Sequence, residues 1–262
     1  TMLAHVQMRQ GQFKASIESI RALLLECEQR LGSNHAITLD ALNTLATVSL
    51  RVGDFATARS SARKLREATA PDPAERKRVD QFVNARIAMY SGDAAAAQEQ
   101  LRALHESTRE GGTGRSFIAL ALAESLLRLN RLDEVSALLD SVDQPANQQL
   151  ASRSGRVLAA RLLRACLHAK RGKLTEATTM VSPVIAVLQE DFGDDYYVTL
   201  VAQAYAALWS AEQVPANTDS RRDALATRIE QELSWQDGAQ KLGRWLRARP
   251  AESTWSDMPI VL

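Results

Sequence analysis

The sequence predicts an all-α fold assembled from a repeated helical hairpin. Three observations carry this reading. The 262 residues include 42 Ala but only 12 Gly and 7 Pro, and 26 of the 32 cations are Arg. Strong helix formers therefore dominate, while the β-branched and aromatic runs of strands are nearly absent. A turn signal also recurs at residues 11, 53, 92, 130 and 172, with spacings of 42, 39, 38 and 42. Periods of this size mark repeat architectures.

Each turn signal is a small or turn-forming residue, a polar one, an apolar or small one, and another small or apolar residue three further on. The copies are Gly11-Gln12-Phe13 with Ser16, Gly53-Asp54-Phe55 with Ala58, Gly92-Asp93-Ala94 with Ala97, Asn130-Arg131-Leu132 with Val135, and Gly172-Lys173-Leu174 with Ala177. Before Gly53, the residues Leu39, Leu42, Leu45, Ala46, Val48 and Ser49 follow helical spacing; after it, Phe55, Ala58, Ala62, Leu65 and Ala68 do so again. Pro71 and Pro73 stop that second helix, and Pro145 does the same after the fourth unit. Gly111 to Gly114 reads as a flexible link, and Pro183 is expected to kink or break its helix near Ser182. The stretch from Gly32 to Leu39 echoes Gly193 to Leu200, about four units later. In both, Thr38 and Thr199 are placed to accept from a backbone N–H near a helix start, with a start a few residues earlier as the alternative.

A sixth unit begins at Leu200, with a longer loop from Val214 to Asp219. Asp219 or Ser220 is expected to cap a helix through Leu225 and Ile229, and a shorter helix from about Ala239 to Arg247 ends at Pro250. All four tryptophans (Trp209, Trp235, Trp245 and Trp255) lie in this final stretch, as suits closure of a repeat array. At the other end, the turn at Gly11 leaves room for only a short helix before it. The array is therefore expected to start within or at a first unit and to be part of a longer polypeptide.

Leu42, Leu45, Ala46, Gly53, Asp54, Phe55, Ala58, Ala62 and Leu65 resemble the tetratricopeptide repeat (TPR) consensus. Leu31-Gly32-x-x-His35-x-x-Thr38-Leu39 is similar to the long TPR variety of kinesin light chains and many bacterial regulators. Asn130 in place of the turn glycine and Ser49 in place of an aromatic depart from the pattern. The resemblance implies a right-handed TPR-like superhelical solenoid of five to six hairpins over residues 1–235, with a C-terminal capping helix and tail over 236–262. It also implies the interaction or sensory region of a larger bacterial signalling or transcriptional regulator. The winged-helix activators and the serine/threonine kinases with TPR tails are two such settings. A cytoplasmic placement is favoured over a periplasmic one.

The formal net charge is +1, which argues against a nucleic-acid-binding surface. No apolar stretch approaches the roughly 20 residues that span a bilayer. His5, His35, His105 and His168 fall in different units, and no HExxH, paired CxxC, GxSxG or phosphate-loop motif occurs. No catalytic residue, metal site or cofactor is expected. Cys27 and Cys166 lie in the first and fifth units, too far apart to bond. The basic clusters Arg76-Lys77-Arg78, Arg221-Arg222 and Arg244-x-x-Arg247-x-Arg249 read as solvated helix faces.

The remaining candidate is the inner face that the first helix of each TPR hairpin lines. Mapping the family's inward positions by register gives Asn43, Thr47, Leu50 and Arg51, then Phe82, Arg86, Met89 and Tyr90. The next units give Phe117, Leu120, Glu124, Leu127 and Arg128, then Leu162, Cys166 and Lys170. Arg51, Arg86, Arg128 and Lys170 are expected to form a basic stripe beside the aromatic anchors Tyr90 and Phe117. Such a groove suits a protein or peptide segment of acidic character, and a short peptide or small molecule is the alternative ligand. A homodimer is left open.

Overall fold

The computed structural model describes residues 2–9, 12–69, 73–108, 113–142, 153–194, 196–210, 218–234, 236–248 and 258–261. Among them are thirteen helices and no strand, so the all-α expectation holds. The chain divides into two compact units, Thr1–Met89 and Tyr90–Leu262. This division falls inside the stretch expected to form one array.

The first unit contains α1 (Met2–Arg9), α2 (Phe13–Leu31), α3 (Ala36–Arg51), α4 (Phe55–Glu67) and α5 (Pro73–Tyr90) up to its penultimate residue. Ile20, Leu24, Ala41, Leu42, Leu45 and Leu65 form its core, with Val79 of α5 packed against them. The second unit contains α6 (Ala94–Ser107), α7 (Thr113–Arg128), α8 (Leu132–Val142), α9 (Gly155–Lys170), α10 (Leu174–Phe192), α11 (Tyr197–Trp209), α12 (Thr218–Glu232) and α13 (Asp237–Ala248). Within it each helix from α6 to α13 packs on the next in sequence, and α7, α9, α11 and α13 also touch in succession.

The repeated turn has one backbone geometry. Gly53, Asn130 and Gly172 adopt φ of 74°, 59° and 76°. Each donates its N–H to the carbonyl three residues back, and the following residue donates to the carbonyl five back: Asp54 to Ser49 at 3.0 Å, Arg131 to Leu126 at 2.9 Å, Lys173 to His168 at 2.9 Å. This pairing satisfies carbonyls that a helix end leaves orphaned. Asn130 has the only positive φ of a non-glycine among the described residues, and asparagine is one of the few residues that tolerate it. At two of the turns the polar residue after the glycine caps the next helix: Asp54 accepts from the Thr57 N–H at 3.0 Å, and Asp93 from the Ala96 N–H at 3.0 Å; Lys173 makes no such cap. Small residues recur at equivalent positions relative to the turns. Ala46, Ala58, Ala123, Ala165 and Ala177 are all fully buried.

Several local expectations are corrected. The helices begin two residues before Thr38 and Thr199, at Ala36 and Tyr197, so neither threonine is the cap. His35 caps α3 through Nδ1, which accepts from the Ile37 N–H at 3.3 Å, and the Thr38 hydroxyl donates back to the Gly32 carbonyl at 2.8 Å. Pro183 does not break its helix, because α10 continues through it to Phe192. Pro73 opens α5, where its missing N–H costs nothing. Asp219 and Ser220 lie within α12, which starts at Thr218, and the last helix runs from Asp237 to Ala248. Gly11, Pro71, Gly111, Gly112, Pro145, Trp235, Pro250 and Trp255 lie outside the described residues.

Two of the supposedly solvated arginines are buried. Arg76 donates to the Ala68 carbonyl at 2.7 Å, and Arg222 to the Ala207 carbonyl at 2.8 Å. Arg115 likewise reaches the His105 carbonyl at 3.3 Å and that of Thr108. In each case an arginine in the first turns of one helix holds carbonyls at the C-terminal end of the helix before it, where acceptors and the negative end of the helix dipole coincide. The guanidinium fork suits that task better than an ammonium.

Candidate functional site

In the first unit the expected inner-face residues face partly outward. Asn43 is exposed, with its carbonyl accepting from the Thr47 hydroxyl at 3.0 Å, and Arg51 and Arg86 are half-buried. In the second unit the positions differ. Tyr90 is buried, whereas Phe117 is 52% exposed with the Arg156 guanidinium 5.5 Å from its ring centre. Glu124, Arg128 and Lys170 come together with Cys166 in a buried polar cluster.

Helical spacing builds that cluster. Glu124 and Arg128 sit four apart on α7, and Arg128 Nη2 donates to Glu124 Oε1 at 2.8 Å. Glu124 is 1% exposed and Lys170 6%. Cys166 and Lys170 are also four apart, on α9, so both project to one side. Burial drives the Cys166 thiol far up from its ordinary value, against the opposing pull of Lys170 and of a contact with Tyr205, so it stays protonated. Both cysteines are buried and free. Arg128 is engaged by Glu124, so an acidic ligand here would compete with a buried carboxylate.

Tyr205 and Trp209 of α11 continue the register. They lie one further step of 39 residues beyond Cys166 and Lys170. That periodicity could have revealed them as inner-face residues. Their rings stack, with centroids 5.4 Å apart.

These two side chains hold a stretch of the chain's own backbone. The Tyr205 hydroxyl donates to the Pro259 carbonyl at 3.1 Å and accepts from the Val261 N–H at 2.7 Å. The Trp209 indole N–H points to the Met258 sulfur at 3.3 Å. Met258, Ile260 and Val261 are all buried. On the other side lies the first turn of α13. A Cβ on Gly238 would sit 2.9 Å from the Ile260 carbonyl and 3.2 Å from Arg128 Nη2, so glycine is what allows the segment so close. Burial pushes the Tyr205 phenol well above its ordinary value, and the adjacent Cys166 adds to that.

The last helix is therefore not placed only by its sequence neighbours. Its first turn meets Arg128 of α7, and Asp237 lies 3.3 Å from where a Cβ on Gly92 would stand. The Gln236 side chain, 1% exposed, has neither its oxygen nor its nitrogen hydrogen-bonded among the described residues. No family model, curated protein or solved structure matches this chain. Among the described residues no three His, Cys, Asp or Glu side chains are grouped to hold a metal ion, and no helix is long and apolar enough to cross a membrane.

Proposed function

We propose that this chain is a non-catalytic scaffold that binds a protein or peptide segment on the face formed by the first helices of successive hairpins. The fold we infer is a TPR-like solenoid. It is supported by the recurring left-handed turn, by the fully buried small residues at equivalent positions and by packing of each helix on the next from α1 to α4 and, separately, from α6 to α13. The binding reading rests on one observation. Tyr205 and Trp209 hold four residues of chain through two backbone hydrogen bonds and one contact to sulfur, the manner in which a groove holds a peptide. The partner is an extended segment, in the setting of a larger bacterial signalling or transcriptional regulator. Panning a random peptide library against the chain tests this. Enrichment of peptides that bind saturably at one per chain by calorimetry is the expected result, and no enrichment over an unrelated helical protein contradicts it.

A second reading has its own support in Gln236. Among the described residues its buried amide has no hydrogen-bond partner, a state that costs on the order of 1–3 kcal/mol, and a small polar ligand beside it would recover that cost. A ligand-dependent rise in melting temperature that Gln236→Leu abolishes would favour a sensory role.

A further inference from the structure

We infer that Met258–Val261 is a resident occupant of the peptide-binding face of the second unit, and that an extended apolar peptide of the same pattern displaces it. This inference rests on the peptide-binding reading above.

The recognition is mostly to backbone. Tyr205 takes the carbonyl of one residue and the N–H of the residue two further on. Any extended peptide with a free N–H at the second of these positions meets that requirement. Specificity comes from the side chains. Trp209 offers an indole N–H to a thioether, and Gly238 leaves space for the carbonyl of the third residue. The fitting partner is therefore an uncharged segment with methionine or another unbranched apolar residue, then a residue needing no N–H, then two β-branched residues. The acidic ligand expected from Arg128 and Lys170 fits less well, because Arg128 is already paired with Glu124 and Lys170 is buried. An attached segment competes at an effective concentration of order millimolar, so the intact chain is held closed to weak ligands.

The test uses a fluorescent peptide of residues 256–262 and anisotropy. The chain lacking residues 258–262 should bind it saturably, and the intact chain about 100-fold more weakly. N-methylation at the Val261 position, or Tyr205→Phe in the shortened chain, should weaken binding about tenfold. Equal binding to both chains, or none to a shortened chain that keeps its helical circular dichroism, overturns the inference. Should the shortened chain fail to fold, a protease site placed within residues 250–256 of the full chain replaces it. After cleavage, exchange of the cut segment for the labelled peptide supports the inference, and unfolding or lack of exchange overturns it. Library peptides that bind while this peptide does not would sink this inference alone. Binding of neither the library nor this peptide to the shortened chain would sink the peptide-binding reading itself.

Discussion

The two units share a turn and a register, yet they treat equivalent positions differently. In Thr1–Met89 the inner-face residues Asn43 and Thr47 are exposed. In Tyr90–Leu262 the counterparts of Thr47, namely Glu124, Cys166 and Tyr205, are buried, and Tyr205 packs against a segment of the same chain. A repeat fixes where a side chain sits along the array. What stands opposite that side chain is decided by parts of the chain outside the repeat. At this register position the second unit is filled by its own chain at Tyr205, whereas Thr47 of the first unit is exposed.

The largest expected effects lie at the filled face. Glu124→Ala leaves Arg128 buried beside a missing carboxylate and should cost about 3–5 kcal/mol, and Tyr205→Ala about as much through lost packing. Urea unfolding followed by circular dichroism measures both. Thr47→Ala, at the same register in the first unit but exposed, should stay within about 0.5 kcal/mol. Similar losses at Thr47 and Tyr205 would erase the contrast between the units.

Gly238→Ala should be intermediate, about 1–3 kcal/mol. Its Cβ would collide with the Ile260 carbonyl, so the loss should come with faster proteolysis near residue 258. An equally stable, protease-resistant variant would mean that the segment is not held by that approach.

Asp54→Ala should cost about 1 kcal/mol through its cap. Burial alone would raise the Asp54 carboxyl, but the hydrogen bonds from Thr57 and the Arg21 charge outweigh it and hold it below its ordinary value of 3.8. A depressed carboxyl stabilises the fold above the unfolded-state value, and that contribution is lost as pH falls through the folded-state value. The difference between wild type and Asp54→Ala should therefore shrink below about pH 4. A difference that is constant down to pH 2 would contradict it.

The smallest effect concerns the thiols. With Cys166 buried and its ionisation suppressed, labelling by a thiol reagent should be limited by opening of the fold. Rapid labelling of the native protein would place Cys166 at an accessible surface.

The helices and turns were legible in the sequence because their causes are local. Gly53, Asn130 and Gly172 each announce a left-handed residue, and Asp54 and Asp93 announce caps within three residues. The buried polar cluster was half legible. Register placed Glu124, Arg128 and Lys170 on one face, but nothing local said that the face would be covered. The covering residues act across 54 and 56 positions, from Tyr205 to Pro259 and Val261, and no periodicity links them. Arg76 and Arg222 were misread for a related reason. A charge run looks the same whether it meets water or the carbonyls of the preceding helix. Pro183 did not break its helix, because a proline at an exposed position need not end a helix that neighbours hold in place.

The most direct test of the filled face is native-state hydrogen exchange at the Val261 amide, read by NMR. Bonded to the Tyr205 hydroxyl, that amide should exchange at least about 100-fold more slowly than in a free peptide, and Tyr205→Phe should speed it. Exchange at the free-peptide rate in the wild-type chain would mean that the segment is not seated there.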